Sequence, residues 1–175
     1  MSTSTFDRLN RAAILYRSEA HKCARAKAYL AAVIMQVAAL EATLQAMCSL
    51  YAQDVRTTAV YGRKKFRRKR DRALEFSLYE LIKIAAELQW LPPKRVTWAG
   101  KRADIAGFAH KVRKLRNLVH PGKWANKRGN AMKFTKGVYA ATYEVSDVAI
   151  SWLGHRVKQD LLKAMTREEK RSKRI

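Results

Sequence analysis

The chain has 175 residues, 48% of them hydrophobic, which suits one domain with a substantial core and excludes a disordered chain. Seven glycines and three prolines are too few for the frequent turns of an all-β fold, while abundant Ala, Leu, Lys, Arg and Glu favour helices. Against 14 acidic residues stand 37 lysines and arginines, a net charge of +23, far above the ~2–8 that solubility asks of a small domain. That excess points to a polyanionic partner, nucleic acid first and an anionic membrane second, with a solvated basic surface as the plain alternative.

In chain order, Ser4-Thr-Phe-Asp7 opens a first helix in a capping-box-like order, with Asp in place of Glu. Helical periodicity then runs to about Asp54, with a break expected near Ser18. From Tyr29 to Gln53 the one charged residue is Glu41. That length could span a bilayer, but Gln36, Glu41, Thr43, Gln45 and Gln53 interrupt it, and a central carboxylate is costly in lipid. The expectation is a buried core helix and no membrane association. Cys23 and Cys48 lie inside helical, apolar stretches and read as buried free thiols of a reducing, cytoplasmic compartment. The polar first residues lack the charged-then-apolar start of a secretory signal.

Residues 55–72 change character. Gly62 interrupts the helical pattern, and Arg63–Arg72 (RKKFRRKRDR) holds eight basic residues in ten. Arg63, Lys64, Lys65, Arg67, Arg68, Lys69 and Arg70 could track a phosphate backbone, with Phe66 available to stack on a base; a solvated basic loop is the alternative. A helix follows from about Arg72 to Trp90, with Leu74, Leu78, Leu81, Ile82, Ala85 and Leu88 at helical spacing, and Pro92-Pro93 ends it. After a loop over 94–100 the next helix covers about Lys101 to Val119 and stops at His120-Pro121-Gly122. Residues 123–134 form a polar, basic loop, in which Lys123, Trp124, Lys127 and Arg128 could extend a nucleic-acid surface; Trp124 would equally serve to cover the end of the fold. Thr135 caps a last helix over roughly 136–165, and 166–175 is a charged, frayed tail. The whole reads as all-α: an antiparallel bundle of four or five helices in one domain, residues 1–165.

On a helical wheel Ile105, Phe108, Val112, Leu115 and Val119 share a core-facing arc. Arg113, Arg116, Asn117 and His120 gather on the adjacent arc, with His110 at its edge. Guanidinium forks match phosphate, histidine titrates near neutrality, and asparagine can orient either partner. Such a set could cleave RNA without a metal, the arginines stabilising the phosphorane and the histidine moving a proton. The same residues also make an ordinary helix end, with cations on the negative pole of the dipole and Pro-Gly as the stop. No His/Cys/Asp/Glu cluster has metal-ligand spacing, and no glycine-rich phosphate loop or nucleophile elbow is present, so neither metal nor cofactor is expected.

Three stretches in this order resemble the HEPN superfamily of small helical proteins in toxin, defence and RNA-processing systems. They are YLAAVIMQVAALEATL (29–44), LYELIKIAAELQWLP (78–92) and LRNLVHPG (115–122); with the last helix the likeness covers about residues 10–165. The resemblance implies a HEPN-like bundle, a homodimer with two motifs facing across a cleft, and a metal-independent endoribonuclease leaving a cyclic phosphate and a 5′-hydroxyl. It assigns His120, Arg116, Arg113 and Asn117 to catalysis, and Glu41 to orienting the arginine or histidine, with a buried ion pair as the other role for that carboxylate. It also implies a partner protein from the same system. In catalytic members an Arg, often followed by a polar residue, is separated from the His by four to six residues. Here three residues separate Arg116 from His120, and six separate Arg113 from it. A non-catalytic nucleic-acid-binding or adaptor protein on the same fold is therefore the alternative, and a module docking an acidic protein the third.

Overall fold

The structure is a computed structural model that describes residues 4–64, 72–91, 96–98, 101–103, 106–107, 109–111 and 134–172. It is all-α in class. The helices are α1 (Thr5–Arg25), α2 (Tyr29–Leu50), α3 (Ala52–Arg56), α4 (Ala59–Arg63), α5 (Leu78–Glu87) and α6 (Lys136–Ser172), with a 3-10 turn at Arg72–Glu75. Residues 106–107 and 109–111 are also helical. One short antiparallel hairpin, β1 (Val96–Trp98) with β2 (Lys101–Ala103), pairs Thr97 with Arg102; β1 falls where the sequence suggested a loop, and β2 replaces the start of the helix expected from Lys101.

Each helix start has a local cause. Ser4 caps α1: its hydroxyl accepts the Asp7 N–H at 3.1 Å and donates to the Asp7 carboxylate at 2.6 Å. Ser77 and Glu80 make a full capping box at the head of α5, and so α5 begins at Leu78 rather than at Arg72. Thr135 receives the Val138 N–H at 3.4 Å at the start of α6. That helix continues through Ser172, so the described part of the expected tail is helical.

The end of α1 differs from the expected break near Ser18. The chain turns at residues 26–28, where Lys27 has φ of 58°. The Ala28 N–H donates to the Cys23 carbonyl at 2.8 Å and the Lys27 N–H to the Ala24 carbonyl at 3.0 Å, the bond pattern of a Schellman motif. The end of α5 repeats it: Gln89 has φ of 53°, and Trp90 and Gln89 donate to Ala85 and Ala86 at 2.7 and 3.1 Å. Gly62, by contrast, lies within α4.

Apolar on all sides, α2 forms the centre, with α1, α5 and α6 packed against it. It is long and apolar enough to cross a membrane, yet most of it is covered by its neighbours. Ala13 and Ala20 of α1 are seven residues apart and buried, as are Ala32, Ala39 and Ala46 of α2; rows of small side chains let the two helices of this antiparallel hairpin approach closely. α6 runs antiparallel to α1. Its Tyr143 ring lies 5.1 Å from His21, its Asp147 pairs with Arg17, and its Val157 shares a groove with Phe6. Along α2 it runs in the same direction, from Ile150 beside Thr43 to Asp160, which accepts the Tyr51 hydroxyl at 2.7 Å.

Val33, Val37, Leu40, Leu44 and Met47 of α2 meet Leu81 and Ile82 of α5 and Leu153 of α6 in one core, closed at one end by Trp90 against Tyr51 at 5.5 Å. Gln36 is fully buried within that core, and neither its amide oxygen nor its nitrogen has a hydrogen-bond partner among the described residues. Both cysteines are unpaired thiols. Cys48 is buried and Cys23 half-buried, and burial pushes the Cys48 thiol up to about 12.

Candidate nucleic-acid interface

The basic run begins where α4 ends. Thr58, almost fully buried, caps α4 through its hydroxyl, which accepts the Tyr61 N–H at 3.2 Å, while the Glu87 carboxylate of α5 accepts the Ala59 N–H at 2.9 Å. These bonds tie α4 to α5 and fix where the run departs. Arg63 donates through Nε to the Ala59 carbonyl at 3.1 Å and is exposed. Lys64 bonds both oxygens of Glu80, at 2.9 and 2.8 Å, with its ammonium 6.0 Å from the centre of the Phe76 ring. Burial pushes the Glu80 carboxyl up, but the bonds from Lys64 and Ser77 outweigh it and hold it below its ordinary value.

The run returns at Arg72. Its guanidinium contacts the Tyr61 hydroxyl and sits 5.8 Å from the centre of that ring. Lys64 and Arg72, eight positions apart in sequence, are thus both held against the one face formed by α4, the 3-10 turn and Phe76. A guanidinium and an ammonium placed beside aromatic rings are the elements from which single-strand binding surfaces are built, with charge for phosphate and ring faces for bases.

A second cluster lies on the outer side of α5. The Lys83 ammonium is 4.6 Å from the centre of the Tyr79 ring, and the His110 ring is 5.1 Å from it at 45°. His110 was expected at the edge of the polar arc, and the structure packs it on α5.

Of the residues picked from the sequence, Arg63 and Lys64 are placed at the start of this face, and Glu41 is half-buried on α2. Lys65, Phe66, Arg67, Arg68, Lys69 and Arg70 lie outside the described residues. So do Lys123, Trp124, Lys127 and Arg128, and so does the whole set Arg113, Arg116, Asn117 and His120, including the cations expected to face Glu41. The structure adds Arg56, Tyr61 and Arg72 to the face. Arg56 and Tyr61 carry no signal in the sequence, because what recruits them is the fold of α3 and α4 back towards the 3-10 turn.

The other described histidines, His21 and His155, make their contacts along α6. His21 leans on Tyr143 and lies 3.4 Å from the Tyr139 hydroxyl, and His155 bonds Gln159 at 2.8 Å along one turn of α6. No three His, Cys, Asp or Glu side chains among the described residues converge on a point that could hold a metal. No protein-family model, curated protein or solved structure matches this chain.

Proposed function

We propose that this chain is an RNA-binding protein with a HEPN-like helical bundle, acting in the cytoplasm as a homodimer. The observation that carries the reading is its charge. If every one of the 14 carboxylates neutralised a separate cation, 23 of the 37 lysines and arginines would still need an anion. A phosphate backbone supplies anions in that number, and neutralising them releases counterions from the nucleic acid, which drives binding. The cation and ring pairs at Lys64–Phe76, Arg72–Tyr61 and Lys83–Tyr79 favour a strand with accessible bases, and hence RNA over duplex DNA.

Competition tests this. Labelled single-stranded RNA bound to the protein is displaced by unlabelled RNA but not by polyglutamate at equal charge. Displacement by polyglutamate at the same concentration would favour the docking of an acidic protein instead.

The motif RN-x-x-HP supports a second, catalytic reading, a metal-independent endoribonuclease in which His120 moves the proton, Arg113 and Arg116 hold the phosphate, and Asn117 and Glu41 orient them. Labelled RNA incubated in EDTA is then cut by the wild type and left intact by His120→Ala. No cleavage by either protein, with RNA binding kept by both, makes the motif a structural helix end and leaves binding as the function.

A further inference from the structure

Between the end of α2, α3, α4 and the 3-10 turn lies a pocket of about 250 Å³. Its floor is apolar and buried, made by Cys48, Val55 and Phe76. Its rim is polar: Arg56 exposed, Ser49, Tyr61 and Arg72 half-buried. The two halves ask for different chemistry in one ligand. An inorganic anion would match the exposed Arg56 guanidinium and leave the apolar floor uncovered, whereas a lipid tail or aliphatic ligand would do the reverse. A nucleotide carries a flat, weakly polar base and a phosphate a few bonds away, and so matches both.

Size narrows the ligand further. The volume lies below the ~300–1,000 Å³ of pockets that enclose a drug-sized molecule, so one base with part of its sugar fits and a dinucleotide cofactor does not. A base inside a duplex is stacked on both faces and cannot enter unless extruded.

The geometry points to this pocket as the seat of one unstacked nucleotide of a single-stranded RNA, its base in the pocket against the Phe76 floor and the Tyr61 rim, its phosphate on Arg56 beside Arg72. This rests on the RNA-binding reading and adds to it a place where the strand is anchored. Arg56 is well suited to the phosphate, since its guanidinium contacts Gln53 at 3.3 Å from an exposed position on α3. Lys64 and Arg72, the described ends of the basic run, contact Phe76 and Tyr61, two residues that line this pocket.

Two variants of the full chain test the assignment with different physics. Arg56→Ala removes the phosphate contact from an exposed position, and Ala52→Trp fills the rim without altering charge. The probes are an oligouridylate of about twelve nucleotides, within the ~4–16 that single-strand sites span, and an RNA duplex of equal length. Both variants weaken oligouridylate binding by about tenfold, equivalent to ~1.4 kcal/mol, and leave duplex binding within about twofold. Ala52→Trp also leaves the salt dependence of binding unchanged, because no phosphate contact is lost. Photo-crosslinking of a 4-thiouridine strand to the wild type marks Tyr61 or Phe76, a readout independent of whether either variant folds. If the wild type binds the strand while both folded variants bind it equally well, or if crosslinks fall only elsewhere, the pocket assignment is overturned and the RNA-binding reading stands. If the wild type binds neither RNA, both fall together.

Discussion

Buried Gln36 sets a polar amide into the centre of an apolar core. Its two polar atoms have no partner among the described residues, although burying an amide without hydrogen bonds costs roughly 1–3 kcal/mol. Methionine has nearly the same length and volume and no such cost. Gln36→Met therefore raises the midpoint of urea unfolding, by an amount equal to about 1 kcal/mol or more, with an unchanged slope. Tyr51 is a second residue with a measurable signature. Burial, then the bond to the Asp160 carboxylate, raises its phenol from 10.0 to about 12. A group whose folded pKa is raised holds its proton more tightly in the native state, so its contribution is present below about pH 10 and is lost as pH rises towards 12. Tyr51→Phe removes the bond from the end of α2 to α6 and costs about 1 kcal/mol at neutral pH. The difference in stability between wild type and variant narrows in that alkaline window and is constant from pH 6 to about 9, which unfolding measured in parallel at each pH will show.

At the scale of elements, the two helix ends that matter most are made by residues that give no sign of it. A helix that ends in a left-handed residue normally has glycine there, and a lysine or glutamine in that conformation bears a steric cost of roughly 1–2 kcal/mol. Lys27→Gly relieves it, offset in part by the greater freedom of glycine in the unfolded chain, and stabilises the protein by about 0.5–1 kcal/mol in thermal or urea unfolding. The same residues explain what could be read in advance. Ser4 and Thr135 mark their helix starts openly, since a hydroxyl at an N-cap is a local signal. The central place of α2 was legible too, because a run from Tyr29 with one charge can only be a core or a membrane span. The break at 26–28 was not legible: Lys27 looks like a helix former, and the Schellman bonds arise only once α1 folds back on α2. Ser77 and Glu80 did carry their capping-box signature, but the apolar period through Leu74 ran across it and suggested a longer helix. In the candidate site, Arg63 and Lys64 were legible from charge density alone. Arg56 and Tyr61 were not, being ordinary residues until α3 and α4 bring them to the mouth of a pocket.

On the scale of the whole molecule, charge dominates. Helices α1, α2, α5 and α6 close a core that would serve many functions, and nothing in that core requires a surplus of 23 cations. Like charges at that density repel one another and weaken the folded state unless an anionic partner is present. Lys64, just past α4, and Arg72 of the 3-10 turn are held against aromatic rings, which suits a strand that offers phosphates and bases together. The measurement that tests this most directly is the affinity for labelled single-stranded RNA across a salt series. Six phosphate contacts at a slope of about −0.7 each predict a straight fall in log affinity against log salt, a loss of a few hundredfold between about 50 and 200 mM. A flat salt dependence, or no binding even at the lowest salt, would contradict the account and turn attention to an acidic protein as the partner of this basic surface.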